Sequence, residues 1–244
     1  MISALGRWLL TKLSNVFYFC GFSFQVLKGS LRFFRSNVVG IRVLTLQIIF
    51  TGFQALGVIA FISMALGVVI IVQGNALLPQ FGQGKLIYTI LVTVITRELG
   101  PLLTAFIIIA RSATAIASEL GNMSVSHEVE AYVSIGINPI TYLVVPRFLG
   151  VTISLIILNI YFNLFGLGGS YLIAQFLKPI PFSEYTQNLV SQIKSIDIIS
   201  SLIKSVAFGA IISLTSTFNG FQVQQSTTEI PQTVIKAVGQ GFVY

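Results

Sequence analysis

Charged residues are scarce in this chain of 244 residues. They make up 9% of the chain, and hydrophobic residues make up 55%, whereas soluble domains carry about 25% charged residues. Two long stretches, 43–84 and 148–177, contain no charged residue at all. So few polar groups cannot cover a water-exposed surface, and continuous apolar runs cross membranes as helices. We therefore predict an all-α integral membrane protein.

Cysteine and histidine occur once each, as Cys20 and His127. A single cysteine excludes an internal disulfide, and a single histidine excludes catalysis by a histidine pair. His127 and Glu128 begin the zinc-protease signature HExxH, but its second histidine is missing. The GQGK segment that ends at Lys85 lacks the first glycine of a phosphate-binding loop. We expect no catalytic residue, no metal site and no cofactor, and hence a protein that is not an enzyme.

Acidic residues are absent from residues 1–42, whereas lysine and arginine are frequent there. The six cations are Arg7, Lys12, Lys28, Arg32, Arg35 and Arg42. Aromatic residues alternate with them, a pattern typical of amphipathic helices that lie in the headgroup region on the cytoplasmic side. The alternative is an ordinary loop before the first span. Because the cations lie beside apolar runs, anionic lipid explains the net charge of +7 better than nucleic acid, and we expect no nucleic-acid partner.

Four apolar runs predict transmembrane helices, at 46–72, 86–118, 148–174 and 198–218. Each is about as long as, or longer than, the roughly 20 residues that a bilayer core requires. The cations before the first run place its start inside, which puts the polar segment 119–147 on the cytoplasmic side. After the fourth run we expect a polar tail from Gln222 to Lys236. Residues 234–244 are then either the stub of a truncated fifth helix or part of a four-helix protein.

Arg97 and Glu98 interrupt the second apolar run. Residues 86–96 rise only about 16 Å as a helix, too little to cross a core of about 30 Å, so both charges belong to one interrupted helix. Pro101 cannot donate to the carbonyl of Arg97, which predicts a kink and an exposed carbonyl there. A bare carboxylate in lipid costs a few kcal/mol, so Glu98 should face a protein partner or a wet cavity.

We assign Glu98, Arg97 and Pro101 to a substrate path on these grounds. The alternative is that the two charges neutralise one another and have no role beyond orienting the helix.

Small and amide side chains mark two helix faces. Ala113, Ala117 and Gly121 recur every four residues and predict close helix packing. Asn159 and Asn163 are also four apart, so one face carries both amides. We expect hydrogen bonds between helices there rather than contact with a substrate.

The polar segment 119–147 predicts a short helix that carries Glu128 and Glu130. The helix should end near Gly136, Asn138 and Pro139. We expect the chain to return to the membrane after Pro146 and Arg147, as the end of a connecting loop.

The segment from Arg97 to Arg147 resembles the defining block of the MlaE-type permeases, RELGPLLTAFIIIARSATAIASELGNMSVSHEVEAYVSIGINPITYLVVPR. These are the membrane subunits of ABC systems that move phospholipid together with an MCE-domain protein. Within the block, EAYVSIG from Glu130 to Gly136 resembles the start of the EAA motif of ABC importer permeases, the loop that docks into an ATPase subunit. The proline expected after that motif, Pro146, comes a few residues early. Weaker similarity covers nearly the whole chain, as one permease domain over 1–244.

The resemblance implies a homodimer with an ABC ATPase subunit on the cytoplasmic side, an MCE-domain lipid-binding protein on the far side and a lipid cavity near Glu98. It assigns ATPase coupling to Glu128, Glu130, Gly136 and Pro146. Members of the family usually close with a further apolar helix, which this sequence does not show. The residue usage is compatible with a plastid (chloroplast) membrane or a bacterial inner membrane.

Three functions remain open at this point. The first is a permease that moves phospholipid or a related lipid, driven by a separate ATPase. The second is an ATPase-independent channel or ion-coupled carrier, which would also use a buried arginine and glutamate. The third is a structural membrane anchor for an MCE-type complex.

Overall fold

Helices account for nearly all of the chain that the computed structural model describes, which is residues 2–33, 38–77, 86–177, 179–223 and 226–243. No strand occurs in these ranges. Apolar segments fold as helices because each backbone donor then finds its acceptor within the same segment. The all-α class expected from the sequence is confirmed.

Four helical stretches among the described residues are long and apolar enough to cross a membrane. Spans 1 to 4 are Gly40–Leu77, Leu86–Val125, Ile140–Phe176 and Ser195–Gly220. Their number and order agree with the four predicted spans, so the protein is a multi-pass membrane protein. Each observed stretch is longer than its prediction, because the helices continue into flanking polar residues where hydropathy falls.

The N-terminal region is a single helix, α1 (Ile2–Phe33), and α2 (Val38–Gly52) follows it. The alternative of an ordinary loop before the first span is therefore wrong. Exposed apolar side chains lie along α1, and Phe19 and Phe22 pack against the ring of Phe218. The side chains of Arg7, Lys12 and Arg35 lie outside the described part of the molecule. The placement of α1 in the headgroup region stays a prediction.

Spans 1 and 2 are interrupted by turns of different pitch. In span 1, a short 3₁₀ turn at Phe53–Ala55 separates α2 from α3 (Leu56–Leu77). Span 2 consists of α4 (Leu86–Leu91), a π-helical segment Val92–Leu99, α5 (Gly100–Ile108), a second π-helical segment Ile109–Ala113 and α6 (Thr114–Val125). Pro101 lies in the first turn of α5, where a missing N–H is tolerated. The interruption predicted at Pro101 is thus a π-helical segment just before it.

The predicted loop 119–147 is mostly helical. The helix α6 continues to Val125, α7 spans Glu128–Ser134, and helix resumes at Ile140 as a π turn before α8 (Val145–Leu177). The return to the membrane therefore precedes Pro146, which is buried within α8. The expected position of Pro146 at the end of a loop is corrected accordingly.

The C-terminal part holds α9 (Phe182–Gln192), α10 (Ser195–Gly220) and α11 (Ile230–Val243). The expected polar tail from Gln222 to Lys236 is helical from Ile230 onward. At 14 residues, α11 falls short of the roughly 20 that a span requires. It packs against α6 with Ala237 buried.

The chain forms two compact units. Unit one is Met1–Gln47, Ala113–Gly150 and Ser213–Tyr244, and unit two is Ile48–Ser112 and Val151–Ile212. Unit one contains α1, α7 and α11. Unit two contains Arg97, Glu98 and the middle of span 3. Each unit is assembled from separate chain segments, so neither is a continuous domain.

Candidate functional site

Four charged side chains from two helices of unit two form a cluster. Arg97 and Glu98 come from span 2, and Asp197 and Lys204 come from α10. Glu98 Oε1 lies 3.2 Å from Arg97 Nε, and its Oε2 lies 2.6 Å from Lys204 Nζ. Arg97 Nη1 lies 3.7 Å from Asp197 Oδ1. Two cations and two anions balance, which lowers the cost of holding Glu98 at membrane depth.

The spacing of residues on α10 explains why Asp197 and Lys204 meet span 2 together. Asp197, Ser201 and Lys204 follow the i, i+4, i+7 pattern of one helix face. Asp197 is buried, and its Oδ2 accepts a hydrogen bond of 3.1 Å from the backbone N–H of Lys194, just before α10 begins. The same carboxylate therefore holds the start of the helix and contributes to the charged cluster.

The backbone next to Pro101 is part of this cluster. Lys204 Nζ donates to the carbonyl oxygen of Arg97 at 2.9 Å, in addition to its contact with Glu98. In a regular helix this carbonyl would accept from residue 101, which as a proline has no N–H. The carbonyl that the sequence predicts to be exposed is thus satisfied by a lysine from another helix.

A cavity of about 180 Å³ lies within the same unit. Its lining includes Thr96, Asn163 and Ser201 among mostly apolar side chains. Thr96 Oγ1 and Asn163 Oδ1 are buried and have no hydrogen-bond partner among the described residues. Buried polar atoms are hydrogen-bonded in most proteins, so these two unpaired oxygens are an exception within unit two.

None of the three predicted path residues, Arg97, Glu98 and Pro101, is among the residues that line this cavity. Thr96 lines it, whereas the side chains of Arg97 and Glu98, the next two residues, are 47% and 51% exposed. The direct contact between these two charges also fits the alternative in which they neutralise one another. The geometry places both in one cluster with Lys204 and leaves their role in transport as a proposal.

Asn159 and Asn163 behave differently, although they share a helix face. Asn159 Nδ2 donates to Ser201 Oγ on α10 at 2.8 Å, which confirms the expected hydrogen bond between helices. Asn163 Nδ2 instead donates to the backbone carbonyl of Asn159, and its Oδ1 is buried without a hydrogen-bond partner among the described residues.

Residues 126–139 of unit one, which we name the coupling segment, present an exposed helix. No residue of α7 is buried, and Val133 and Ile135 are 59% and 70% exposed. His127 and Gly136 bracket the helix with φ angles of 58° and 80°. His127 Nδ1 lies 3.0 Å from Glu130 Oε2. The segment ends where Asn138 Oδ1 accepts from the N–H of Ile140 at 2.9 Å.

A buried arginine ties the two sides of the coupling segment together. Arg147 Nη2 on α8 lies 2.8 Å from Glu119 Oε1 on α6, and Arg147 Nη1 donates to the carbonyl of Leu143 at 2.8 Å. Pro146 is buried beside it. The four residues predicted to act in coupling thus differ in position. Three of them are exposed, namely Glu128, Glu130 and Gly136, whereas Pro146 is buried within α8.

The small-residue stripe of span 2 is buried in unit one. Ala113, Ala117 and Gly121 all have little exposed surface. A Cβ at Gly220 would lie 3.2 Å from the carbonyl oxygen of Ala117, and a Cβ at Gly121 would lie 3.2 Å from Val223 Cγ2. The stripe therefore lies where the end of α10 and the following residues approach α6 closely.

The sequence reasoning missed Thr96, Asp197 and Lys204 as site residues. The sequence does indicate that Asp197 and Lys204 lie together, because two charges seven residues apart in an apolar helix share one face. Their partner on span 2 could not be read from that spacing. Within the described ranges, no group of three or more His, Cys, Asp or Glu side chains could hold a metal ion.

Comparison with known proteins matches residues 44–244 to the family model described as Permease MlaE. A probable ABC transporter permease protein of Rickettsia prowazekii is 31% identical over 192 residues, which cover 79% of this chain and 74% of that protein. The intermembrane phospholipid transport system permease protein MlaE of Haemophilus influenzae is 28% identical over 190 residues, 77% of this chain and 72% of that protein. The protein TRIGALACTOSYLDIACYLGLYCEROL 1, chloroplastic, of Arabidopsis thaliana is 28% identical over 193 residues, 79% of this chain and 55% of that protein.

Proposed function

This chain belongs to the MlaE permease family of lipid-transport permeases, and from that premise we propose that it is the membrane subunit of an ATP-driven transporter of phospholipid or a related lipid. In this proposal a separate ABC ATPase subunit supplies the energy, and the permease carries out no covalent chemistry itself. It works as a homodimer with an MCE-domain lipid-binding protein on the far side of the membrane. The observation that carries the proposal is the charged cluster beside the cavity in unit two.

The charged cluster suits the headgroup of a lipid in transit. Glu98 and Arg97 are held by Asp197 and Lys204 yet stay half exposed, so a zwitterionic or anionic headgroup can exchange contacts with them. Exchanging these contacts costs less free energy than breaking a fully buried ion pair, because both side chains are already half exposed. Thr96, Asn163 and Ser201 are polar residues in the lining of the neighbouring cavity.

The cavity of one chain is too small for a whole lipid. Its volume of about 180 Å³ lies below the roughly 300–1,000 Å³ of sites for drug-sized ligands. A second copy of the chain would supply the remaining wall in the proposed homodimer. We therefore treat the cavity as part of a lipid path rather than as a closed chamber.

The coupling segment is the proposed contact for the ATPase. Its helix α7 exposes Val133 together with Glu128 and Glu130, so it offers an apolar contact with acidic groups beside it. Motion of the ATPase would act on this segment. In this proposal span 2 transmits the motion, because it carries Glu98 and directly precedes the coupling segment in the chain.

The Glu98→Gln substitution tests the lipid path. It removes the charge that Lys204 and Arg97 share, and we expect transfer of a fluorescent phospholipid between reconstituted vesicles to fall at least about fivefold, the equivalent of roughly 1 kcal/mol. Co-purification of the ATPase should be unchanged. The matched control is Glu184→Gln, which alters an exposed acid of α9 outside the spans.

Equal transfer by the two variants would show that Glu98 is not part of the path. Transfer that continues without the ATPase and follows an ion gradient would favour a channel or carrier. If the protein retains its MCE-domain partner but transfers no lipid with any ATPase, the result would favour the function of a structural anchor.

A further inference from the structure

A polar groove of about 330 Å³ lies in unit one between α1 and the start of span 3. Gln25, Lys28 and Arg32 line it from α1, and Asn138 and Thr141 line it from the other side. Its volume falls in the range of about 300–1,000 Å³ that is usual for small-molecule sites. The groove is separate from the charged cluster and its cavity, which belong to unit two.

The packing of α1 creates this groove. Gln25, Lys28 and Arg32 follow the i, i+3, i+7 spacing of one helix face. Gly29 lies between the two cations, and a Cβ there would lie 2.8 Å from Val145 Cγ2 at the start of α8. The absence of a side chain at Gly29 lets α1 approach α8 closely, which brings both cations to Asn138 and Thr141.

The groove is rich in donors and contains no acid. Its five polar side chains can all donate hydrogen bonds, and among the described residues no aspartate or glutamate lines it. Asn138 uses its oxygen to accept from Ile140 N–H, which leaves its amide hydrogens available. In the part of the chain that the structure describes, neither Lys28 nor Arg32 forms an ion pair. An anion with several acceptor oxygens satisfies such a set of donors.

Apolar side chains next to the groove indicate the source of that anion. Phe24, Leu27 and Leu31 are exposed on the neighbouring face of α1, so cations and apolar groups lie side by side along one helix. This arrangement is typical of helices that lie in a lipid headgroup layer. The opposite wall of the groove includes Ile140, where span 3 begins.

We propose that this groove binds the phosphate group of an anionic lipid headgroup, through Lys28, Arg32, Gln25, Asn138 and Thr141. The bound lipid holds α1 against the start of span 3 at the membrane surface. The proposal does not rest on the transport function. A protein that transports nothing can still bind lipid here, and a working transporter can lack the site.

Native mass spectrometry of the full chain in detergent tests the proposal. Dioleoyl phosphatidylglycerol is the anionic probe, dioleoyl phosphatidylcholine is the zwitterionic comparison, and inorganic phosphate is added as a competitor. The double variant Lys28→Gln/Arg32→Gln should bind phosphatidylglycerol at least about tenfold more weakly, because two charge-assisted contacts are lost. The control Arg42→Gln/Lys236→Gln removes the same charge at exposed positions outside the groove and should bind like the parent protein.

Thr141→Val provides a second variant that leaves every charge in place. It should weaken phosphatidylglycerol binding by a smaller factor, and Lys28→Arg, which keeps the charge, should bind like the parent protein whereas Lys28→Gln binds more weakly. Preferential binding of phosphatidylglycerol that inorganic phosphate does not displace supports the lipid source. Displacement by millimolar inorganic phosphate supports the same site with a soluble phosphate as its ligand. Equal losses in the groove variant and the charge control, or no loss in either, overturn the proposal.

Discussion

Single side chains in this protein often serve two elements at once. Lys204 contacts both the carboxylate of Glu98 and the carbonyl of Arg97, and so compensates for a charge and for the missing N–H of Pro101. Asp197 holds the start of α10 and also contacts Arg97. The contacts of Lys204 and Asp197 with span 2 could not be assigned from the sequence, because each joins residues about 100 positions apart.

Tyr185 is the buried tyrosine of α9, and its hydroxyl anchors that helix to span 3. The hydroxyl lies 2.6 Å from Ser170 Oγ and donates to the carbonyl of Leu167 at 3.0 Å. Burial raises the pKa of Tyr185 to about 12 from its ordinary value of 10.0. The neutral form is therefore the one that the folded protein stabilises.

Tyr185→Phe should lower the stability of the detergent-solubilised protein by about 1 kcal/mol, because one buried hydroxyl and its hydrogen bonds are lost. In the parent protein the contribution of this group should be fully present below pH 10 and should disappear as the pH rises through about 12. Thermal unfolding between these pH values measures both effects. The Tyr185→Phe variant should lack this part of the alkaline decline, whereas Tyr132→Phe on α7 should retain it. An identical decline in all three proteins would contradict the assignment.

Helices in unit two approach one another closely at glycine. A Cβ at Gly67 of α3 would lie 2.1 Å from the carbonyl oxygen of Gly166 on α8. No side-chain rotation relieves such a contact, because the obstacle is backbone. Close approach of this kind is how membrane helices gain packing contacts without a hydrophobic driving force.

Gly67→Ala should therefore push α3 and α8 apart and destabilise the protein by about 1–3 kcal/mol, the usual cost of overpacking. The matched control is Gly57→Ala on the same helix, where a Cβ would meet nothing within 4 Å. That substitution should be neutral or slightly stabilising, because alanine favours helix over glycine. Unfolding of both variants in the same detergent gives the comparison. Equal stability of the two would rule out a close contact at Gly67.

The end of the helix α7 in the coupling segment allows a separate test of ATPase docking. Gly136 ends α7 with a φ of 80°, a conformation that other residues adopt at a cost. Gly136→Val, or Glu130→Lys on the exposed face, should reduce co-purification of the ATPase several-fold, while the permease itself still reaches the membrane. Gly239→Ala on α11 is the control, since a Cβ there meets open space. Undiminished ATPase binding by both coupling variants would refute the docking role.

At the scale of the whole molecule, the distribution of cations predicts how the protein is oriented in the membrane. Five cations, Arg7, Lys12, Lys28, Arg32 and Arg35, precede the first span and Arg42 lies near its beginning, so the positive-inside rule predicts that span 1 starts on the cytoplasmic side. On this prediction, spans 1 and 2 return the chain to that side at the coupling segment.

A cysteine at Ser134, introduced in a Cys20→Ser background, tests this orientation. Ser134 is exposed on α7, so a membrane-impermeant maleimide should label it in inside-out vesicles and leave it unlabelled in right-side-out vesicles. Ser213→Cys, at a buried position, should resist the reagent in both preparations. Labelling of the Ser134 position only from the far side would contradict the proposed topology and the ATPase contact with it.

The sequence alone determined the class of the protein, the four spans with their order, and the family. Hydropathy determines the class and the spans, because a membrane helix satisfies its own backbone and needs only a sufficient length of apolar residues, whereas the family follows from the segment Arg97–Arg147. Local chemistry also predicted the break before Pro101 and the short helix that carries Glu128. These features depend on residues that are neighbours in the chain.

Only the tertiary structure decided which distant residues meet. It paired Glu98 with Lys204 and Asn159 with Ser201, buried Arg147 against Glu119, and placed Pro146 inside a helix. It also extended the helices through residues 119–125 and 140–147, where polarity had suggested a loop. The physical reason is that periodicity defines the faces of one helix, whereas the choice of partner depends on packing between helices that are far apart in sequence.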